Sequence, residues 1–440
     1  MLGLLVWLLV DRQLPAMRGQ SKCRLSCRIP DETGRDCMRV LIVATGWNNR
    51  GALVTSRALA KAGWEVGCVT ADLRGLLAAS RSISHLHRAP PPAADLHGFI
   101  EATGGAILAR SYEAVLPSSD AETLALSALR QRLPIPLPYP AHDAVLGAFD
   151  KLELTRVAST CGIGAPWTTP ATEEVLEAVN GPVVVKARFH WTPGSVGMPA
   201  RWRTYICADQ REAGQRIVEM RAAGGDPLLQ EVVRGPLLHC HVLQDRHGGL
   251  VAAVQQRSEP VTQTPLTWPP GAGVRVRSVT VPPDRELVEK ITTMLGRLGW
   301  VGFVGLMFIV GADGEPRLVD FNGRIPMSFQ QSIAACPALP DLWARVAAGQ
   351  PIDAVPEVQT GVRYQWLWGD LRRAVKEGRR GRVLDVLGCL AYAPGATHGI
   401  WSTQDPWPAL RSGQRNLGQL ARRLSKASRP HRASSALGML

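Results

Sequence analysis

Gly299-Trp300-Val301-Gly302-Phe303-Val304-Gly305-Leu306-Met307-Phe308-Ile309-Val310, Gly311-Ala312-Asp313-Gly314-Glu315-Pro316 and Arg317-Leu318-Val319-Asp320-Phe321-Asn322-Gly323-Arg324 form one continuous stretch. Two apolar runs flank a turn rich in Gly, Asp and Pro, which predicts a β-hairpin. Strand alternation places Leu318, Asp320 and Asn322 on one face, and Val319 and Phe321 on the other. A carboxylate and an amide oxygen two residues apart on one face can share a hard cation such as Mg²⁺. Arg324, just beyond, offers a bidentate fork for a phosphate or carboxylate. The same residues also describe a solvated polar strand end, so the rest of the chain has to decide.

At 440 residues the chain is too long for one ordinary core, and two or three domains are expected. Its 45% apolar and 20% charged content is that of a globular protein. The net charge of +13 suits nucleic acid, an anionic membrane surface or anionic small molecules. Part of it belongs to the tail: no acid follows Asp405, whereas Arg411, Arg415, Arg422, Arg423, Lys426, Arg429 and Arg432 do. No nucleic-acid fold signature accompanies this charge, and no aromatics alternate with the tail arginines. The nine cysteines have no zinc spacing, and an odd count in a long chain predicts reduced thiols and a cytoplasmic location. Met1 to Val10 is too short to span a bilayer and lacks the charge and cleavage pattern of a signal peptide. Met38 is followed at once by a strand, so it is the expected natural start, with residues 1–37 a non-native or disordered extension.

Arg39 to Thr45 reads as a buried strand, Gly51 to Ala62 as a helix and Trp64 to Thr70 as a second strand. This order predicts a parallel doubly wound sheet. The first turn, Thr45 to Gly51, lacks GxGxxG, which disfavours a dinucleotide site. Tyr112 to Pro117 is a further buried strand, ending in Ser118-Ser119-Asp120. That tripeptide reads as a helix cap, or as polar groups at the crevice of the sheet. The Pro-rich run Leu133 to Pro140 marks a domain seam. Asp150-Lys151 then opens a helix. Gly181 to Ala187 is an apolar strand carrying Lys186 near its end, where an unpaired ammonium is costly unless an anion lies near. Thr192 to Gly197 is a Gly/Ser loop whose backbone N–H groups suit phosphates. Pro227 to Gly235 reads as a strand into a turn, and where its backbone edge meets Glu231 an N–H, a C=O and a carboxylate suit an adenine contact.

Asp150-Lys151, Val185-Lys186 with its loop, Gln230-Glu231-Val232-Val233 and Asp320-Phe321-Asn322-Gly323-Arg324 are each weak signals. In this order they resemble the ATP-grasp proteins of the carbamoyl-phosphate-synthetase-like, carboxylate–amine ligase group. The resemblance runs from about Met38 to Gly369, with weaker echoes in Gly361 to Trp366 and in Asp405-Pro406. It implies an α/β fold: a parallel α/β pre-ATP-grasp domain (38–140) followed by an α+β ATP-grasp domain (141–350). A partly helical C-terminal extension (351–410) and a basic tail (411–440) complete the expected layout. The lid-bearing lobe of the ATP-grasp domain is expected to end at about Asp226.

The resemblance also implies roles. Lys151 and Lys186 would contact the phosphates of ATP. Gly194, Ser195 and Gly197 would belong to a phosphate lid. Glu231 with the Val232 and Val233 backbone would hold adenine. Asp320 and Asn322 would bind Mg²⁺ or Mn²⁺. Arg324 would hold the γ-phosphate or a substrate carboxylate, and Arg257 and Arg277 fall where substrate-binding arginines commonly lie. The implied activity is ATP-dependent activation of a small-molecule carboxylate as an acyl phosphate, followed by attack of an amine or other nucleophile. No specific nucleic-acid partner and no membrane span are expected. Two departures stand out. Met307 occupies the position of the usual first metal glutamate, and a thioether is a poor ligand for a hard cation. Pro236 replaces a glutamate often found after the hinge, where it would reach the ribose. The alternative expectation is therefore a catalytically impaired nucleotide-binding descendant.

Overall fold

The computed structural model describes residues 38–46, 49–135, 137, 140–193, 202–259, 276–352, 356–377 and 382–415. The N-terminal extension, the lid residues Gly194, Ser195 and Gly197, and most of the basic tail lie outside the described residues.

The chain begins with β1 (Arg39–Val43), α1 (Arg50–Lys61), β2 (Glu65–Thr70), β3 (His85–Arg88), α2 (Leu96–Arg110), β4 (Ala114–Pro117) and α3 (Asp120–Ala128). These strands form a parallel four-stranded sheet in the order β3-β2-β1-β4. Val40 to Val43 are fully buried because β1 is covered on both faces, as an uninterrupted apolar run requires. α4 (His142–Phe149) and α5 (Lys151–Thr160) lead into a second, antiparallel sheet. It contains β5 (Thr168–Pro170), β6 (Val183–Ala187), β7 (Tyr205–Cys207) and β8 (Pro227–Glu231) in the order β5-β8-β6-β7. With α6 (Glu173–Glu177) and α7 (Gln210–Ala222) it encloses its own small core around Val185, Ile217 and Leu229. β8 belongs to this sheet as well, because Pro227 to Glu231 pair with β6.

The third sheet has six antiparallel strands in the order β13-β12-β9-β10-β11-β14. They are β9 (Leu237–Gln244), β10 (Leu250–Ser258), β11 (Arg277–Val281), β12 (Gly302–Val310), β13 (Pro316–Asn322) and β14 (Arg363–Gln365). α8 (Arg285–Arg297) precedes the hairpin, and α9 (Phe329–Ala335) and α10 (Leu339–Ala348) follow it. β14 comes from the expected C-terminal extension, which therefore adds an edge strand to the sheet before α11 (Leu367–Glu377) and α12 (Arg382–Tyr392). Asp405 fastens the end of this region to α1: it accepts from Arg57 Nε at 2.9 Å, Ser80 Oγ at 2.6 Å and Arg81 N at 3.1 Å. Two apolar cores join the parallel sheet to opposite faces of the six-stranded one, the first through Leu306 and Phe321 and the second through Phe303 and Trp343.

Gly51 sits where these parts meet. A Cβ there would lie 2.2 Å from the backbone oxygen of Pro326, inside any van der Waals contact. Gly51→Ala is expected to lower stability by roughly 1–3 kcal/mol through backbone displacement. Chemical denaturation checks this, and an unchanged midpoint would show that the two segments do not abut. Among the described residues no helix is long and apolar enough to cross a membrane, and no described cysteine forms a disulfide.

Candidate functional site

The hairpin forms as expected, but with a bulge. Met307 pairs with Asp320 and Phe308 with Leu318, so Val319 is an extra residue. The bulge resets the alternation. Leu318 joins Phe321 in the core instead of sharing a face with Asp320 and Asn322. Asp320 and Asn322 do share the other face, where Asn322 Nδ2 donates to Asp320 Oδ2 at 3.3 Å. Following the ladder across the sheet, Asp320 lies beside Met307, then His239, then Gln256.

Arg324 follows directly. It donates from Nη2 to Asn322 Oδ1 at 2.5 Å and from Nε to Asp120 Oδ1 at 3.1 Å. Asp120 comes from the parallel sheet, in the first turn of α3, and its other oxygen receives His190 Nδ1 at 2.7 Å. Ser119 is the N-cap, its side chain accepting from Glu122 N, so the capping expectation holds for Ser119 while Asp120 faces Arg324. Behind them Glu122 is fully buried and accepts from Thr45 N and Oγ1 (both 2.7 Å) and from Ser118 N and Oγ (3.0 and 2.9 Å). Burial raises its pKa, opposed by those hydrogen bonds. Glu122 thus ties the ends of β1 and β4. Thr123 Oγ1 donating to Gly323 O and Ile325 N donating to Pro117 O then seat the end of β13 against that edge.

Lys186 reaches the same place from the small sheet. Its Nζ lies 3.4 Å from Val319 O, at the bulge, and the residue is 5% exposed. Burial, then repulsion from Lys151, lowers its pKa to about 7, with Asp320 opposing. Lys151 begins α5 and donates from Nζ to Arg188 O at 3.2 Å, while Asp150 caps the helix and holds Arg188. His190 is half-buried, and desolvation together with Lys151 lowers its pKa despite Asp120, which favours the neutral ring. Lys151, Lys186, Asp320, Asn322 and Arg324 are therefore brought together, with Asp120 and His190 added. His190 had no motif to announce it; its only signal was its place in the loop after the Lys186 strand.

Two other expected positions lie elsewhere, and Glu231 stands three residues along β8 from Leu228, the partner of Lys186. Arg257 pairs across from Leu238, and Leu238 across from Phe308, so it sits on the face opposite Asp320, and it is exposed. Arg277 is turned into the C-terminal helices, with Nε 2.5 Å from Asp370 Oδ2 and its guanidinium 4.5 Å from the Tyr392 ring centroid. Glu231 is exposed at the end of β8, its carboxylate 3.3 Å from Trp167 N, with Val232 and Val233 half-buried beside it. A groove of about 780 Å³ touches Glu231 and Val232, but it is lined by Trp167, Val175 and Val179 and contains none of the lysines or β13 residues. It is separate from the cationic cluster.

Asp320 offers one carboxylate to a hard cation, but Asn322 turns its amide nitrogen to Asp320 and its oxygen to Arg324, so Asn322 could join Asp320 on a cation only after its amide turns over and leaves Arg324. The cluster does not offer a second carboxylate beside Asp320, because Met307 stands there. Among the described residues no group of three His, Cys, Asp or Glu side chains forms a metal site of its own.

A scan against protein-family models finds no match, nor does a search of curated proteins. Solved structures do match. The biotin carboxylase domain of 2-oxoglutarate carboxylase from Hydrogenobacter thermophilus, in complex with MgADP, ADP and bicarbonate, is 15% identical with a TM-score of 0.57, covering 74% of this chain and 73% of that one. L-amino acid ligase from Bacillus licheniformis is 14% identical with a TM-score of 0.53, covering 71% and 74%. N5-carboxyaminoimidazole synthetase from Staphylococcus aureus, complexed with ADP, is 13% identical with a TM-score of 0.57, covering 78% and 85%. At such identities the likeness is one of fold, and the chain has the ATP-grasp fold.

Proposed function

We propose that this ATP-grasp chain is an ATP-dependent ligase that activates a small-molecule carboxylate. The observation that carries this reading is the convergence of Lys186, Asp320, Asn322 and Arg324 where the small sheet meets β13. Two lysines and an arginine beside Asp320, Asp120 and one amide leave positive charge over for a polyphosphate even with Arg324 paired to Asp120. Neighbours of the same fold are complexed with ADP or MgADP, and one of them is a ligase of amino acids, which supports the same class of chemistry.

In this reading Lys151 and Lys186 hold the phosphates, and the end of β8 with Glu231, Val232 and Val233 lies against adenine. Asp320, with Asn322 once its amide has turned over, would hold a single Mg²⁺ or Mn²⁺, which would screen charge on the transferring phosphoryl group. Arg324 orients the γ-phosphate or the attacking carboxylate. A carboxylate oxygen attacks phosphorus, the bond to the ADP oxygen breaks, and an acyl phosphate forms. An amine or other nucleophile then displaces phosphate. The protein acts by position, positive charge and exclusion of water.

Met307 favours a second reading, a nucleotide-binding protein impaired in catalysis. Titration calorimetry of ATP with and without Mg²⁺ decides between them, with Met307→Glu in parallel. Tighter ATP binding with Mg²⁺ in the native chain, followed by ADP release with a member of a carboxylate panel, is the expected result. Binding indifferent to Mg²⁺ until glutamate is introduced assigns the impaired site. Absence of ATP binding removes both readings.

A further inference from the structure

Three arginines are buried to the same degree among the described residues, Arg50, Arg277 and Arg324, each 8% exposed. Arg277 faces Asp370 and Arg324 faces Asp120. Arg50 faces no carboxylate: among the described residues its guanidinium makes no ion pair or hydrogen bond, and its Nε is sealed from solvent without an acceptor. Its one close partner is the ring of Trp366, whose centroid lies 4.2 Å from Cζ. A buried guanidinium without an anion is costly, so a site of this form is expected to be completed by one.

The surroundings suit an anion. Arg50 is the first residue of the twelve-residue helix α1, whose first turn carries no acid, so the positive end of the helix is uncompensated. The position also lies at the candidate site's edge. Asn49 caps α1 with its Oδ1 and donates from Nδ2 to Ser118 O at 3.4 Å, two residues before Asp120. Gly51 lies against Pro326, two residues after Arg324. β1 and β4 are neighbours, so α1 and α3 start side by side at their carboxyl ends, the crevice where doubly wound sheets bind ligands.

We propose that Arg50, stacked on Trp366 at the start of α1, is a subsite for a second anionic group of the substrate, a carboxylate or phosphate remote from the carboxylate that is activated. The assignment of that group to a substrate rests on the ligase reading; the anion site itself does not. It restricts the substrate class to molecules with two anionic ends, one at Arg324 and one at Arg50.

The test is titration calorimetry of the full chain with inorganic phosphate and with succinate. Arg50→Gln and Lys186→Met are measured in parallel. The expected result is binding of at least one probe that weakens about tenfold or more in Arg50→Gln, consistent with loss of a charge-assisted fork, and persists in Lys186→Met. Arg50→Gln should bind ATP as the native chain does. A stronger response to phosphate assigns a phosphate group, and a stronger response to succinate a carboxylate. Equal binding by Arg50→Gln, or native protein that takes up neither probe, overturns the proposal. A purely structural role for the stack on Trp366 predicts a lower unfolding midpoint for Arg50→Met. An uncompensated buried cation predicts an equal or higher one, which is the result expected here. Arg50-dependent anion binding in a protein that does not bind ATP would remove the ligase reading and leave the anion site standing.

Discussion

Lys186→Met is expected to weaken ATP binding by about two orders of magnitude, the scale of removing a buried charge-assisted contact. It is also expected to abolish a proton uptake that accompanies binding in the native protein. Burial, and next Lys151, lowers the pKa of Lys186 to about 7. At pH 8.5 the free protein therefore holds this lysine mostly neutral. Triphosphate oxygens beside it favour the ammonium, so ATP binding takes up a proton. Calorimetry in buffers of different ionisation heat reads this uptake directly. The same shift has a sign for stability. Between about pH 7 and the ordinary value of 10.5 the unfolded chain binds more protons at Lys186 than the folded chain, so the fold gains stability as pH rises through that window. Lys186→Met removes that slope. Native ATP binding without proton uptake, together with unchanged affinity in the variant, would remove Lys186 from the site.

Asp370→Ala is expected to be the most destabilising of these substitutions, by about 3–5 kcal/mol. Asp370 is fully buried and accepts from Arg277 Nε at 2.5 Å, Gln365 Nε2 at 2.8 Å and Arg373 Nε at 3.0 Å. Alanine would leave Arg277 buried without its carboxylate, on the strand that carries β14. Burial pushes the pKa of Asp370 up, but the hydrogen bonds from Gln365 and Arg277 and the charges of Arg277 and Arg373 outweigh it and hold the pKa below its ordinary value. Its contribution is therefore present above the unfolded value of 3.8 and is lost as pH falls through the lower folded value. Urea denaturation at neutral pH should separate the two proteins widely, and the gap should close in acid. Arg277→Met in the Asp370→Ala background should recover part of the loss, because it removes the orphaned charge. A gap under about 1 kcal/mol at neutral pH, as for an exposed pair, would mean that Asp370 is no structural anchor.

The sequence by itself determined the order of the longer elements, while short strands such as β3, β5 and β7 left too little pattern to be read from it. Hydrophobic periodicity located β1, α1, the Lys186 strand and the hairpin, because burial on one or two faces leaves a local pattern in the chain. The spacing of Asp320, Asn322 and Arg324 was legible for the same reason: residues on one strand end are placed by covalent geometry alone. Tertiary structure decided what those residues meet. The bulge at Val319 depends on strand pairing and moved Leu318 away from the face of Asp320. Arg257 and Arg277 stand on strands of the same sheet as the site, yet register sends one to the opposite face and Asp370 draws the other into the C-terminal helices. Asp120 and His190 were separated from Arg324 by 204 and 134 residues of sequence, and only the docking of the parallel sheet and the small lobe against β13 brings the three together. An uncompensated arginine such as Arg50 is visible only there too, since a missing partner is a property of surroundings and leaves no trace in the order of residues.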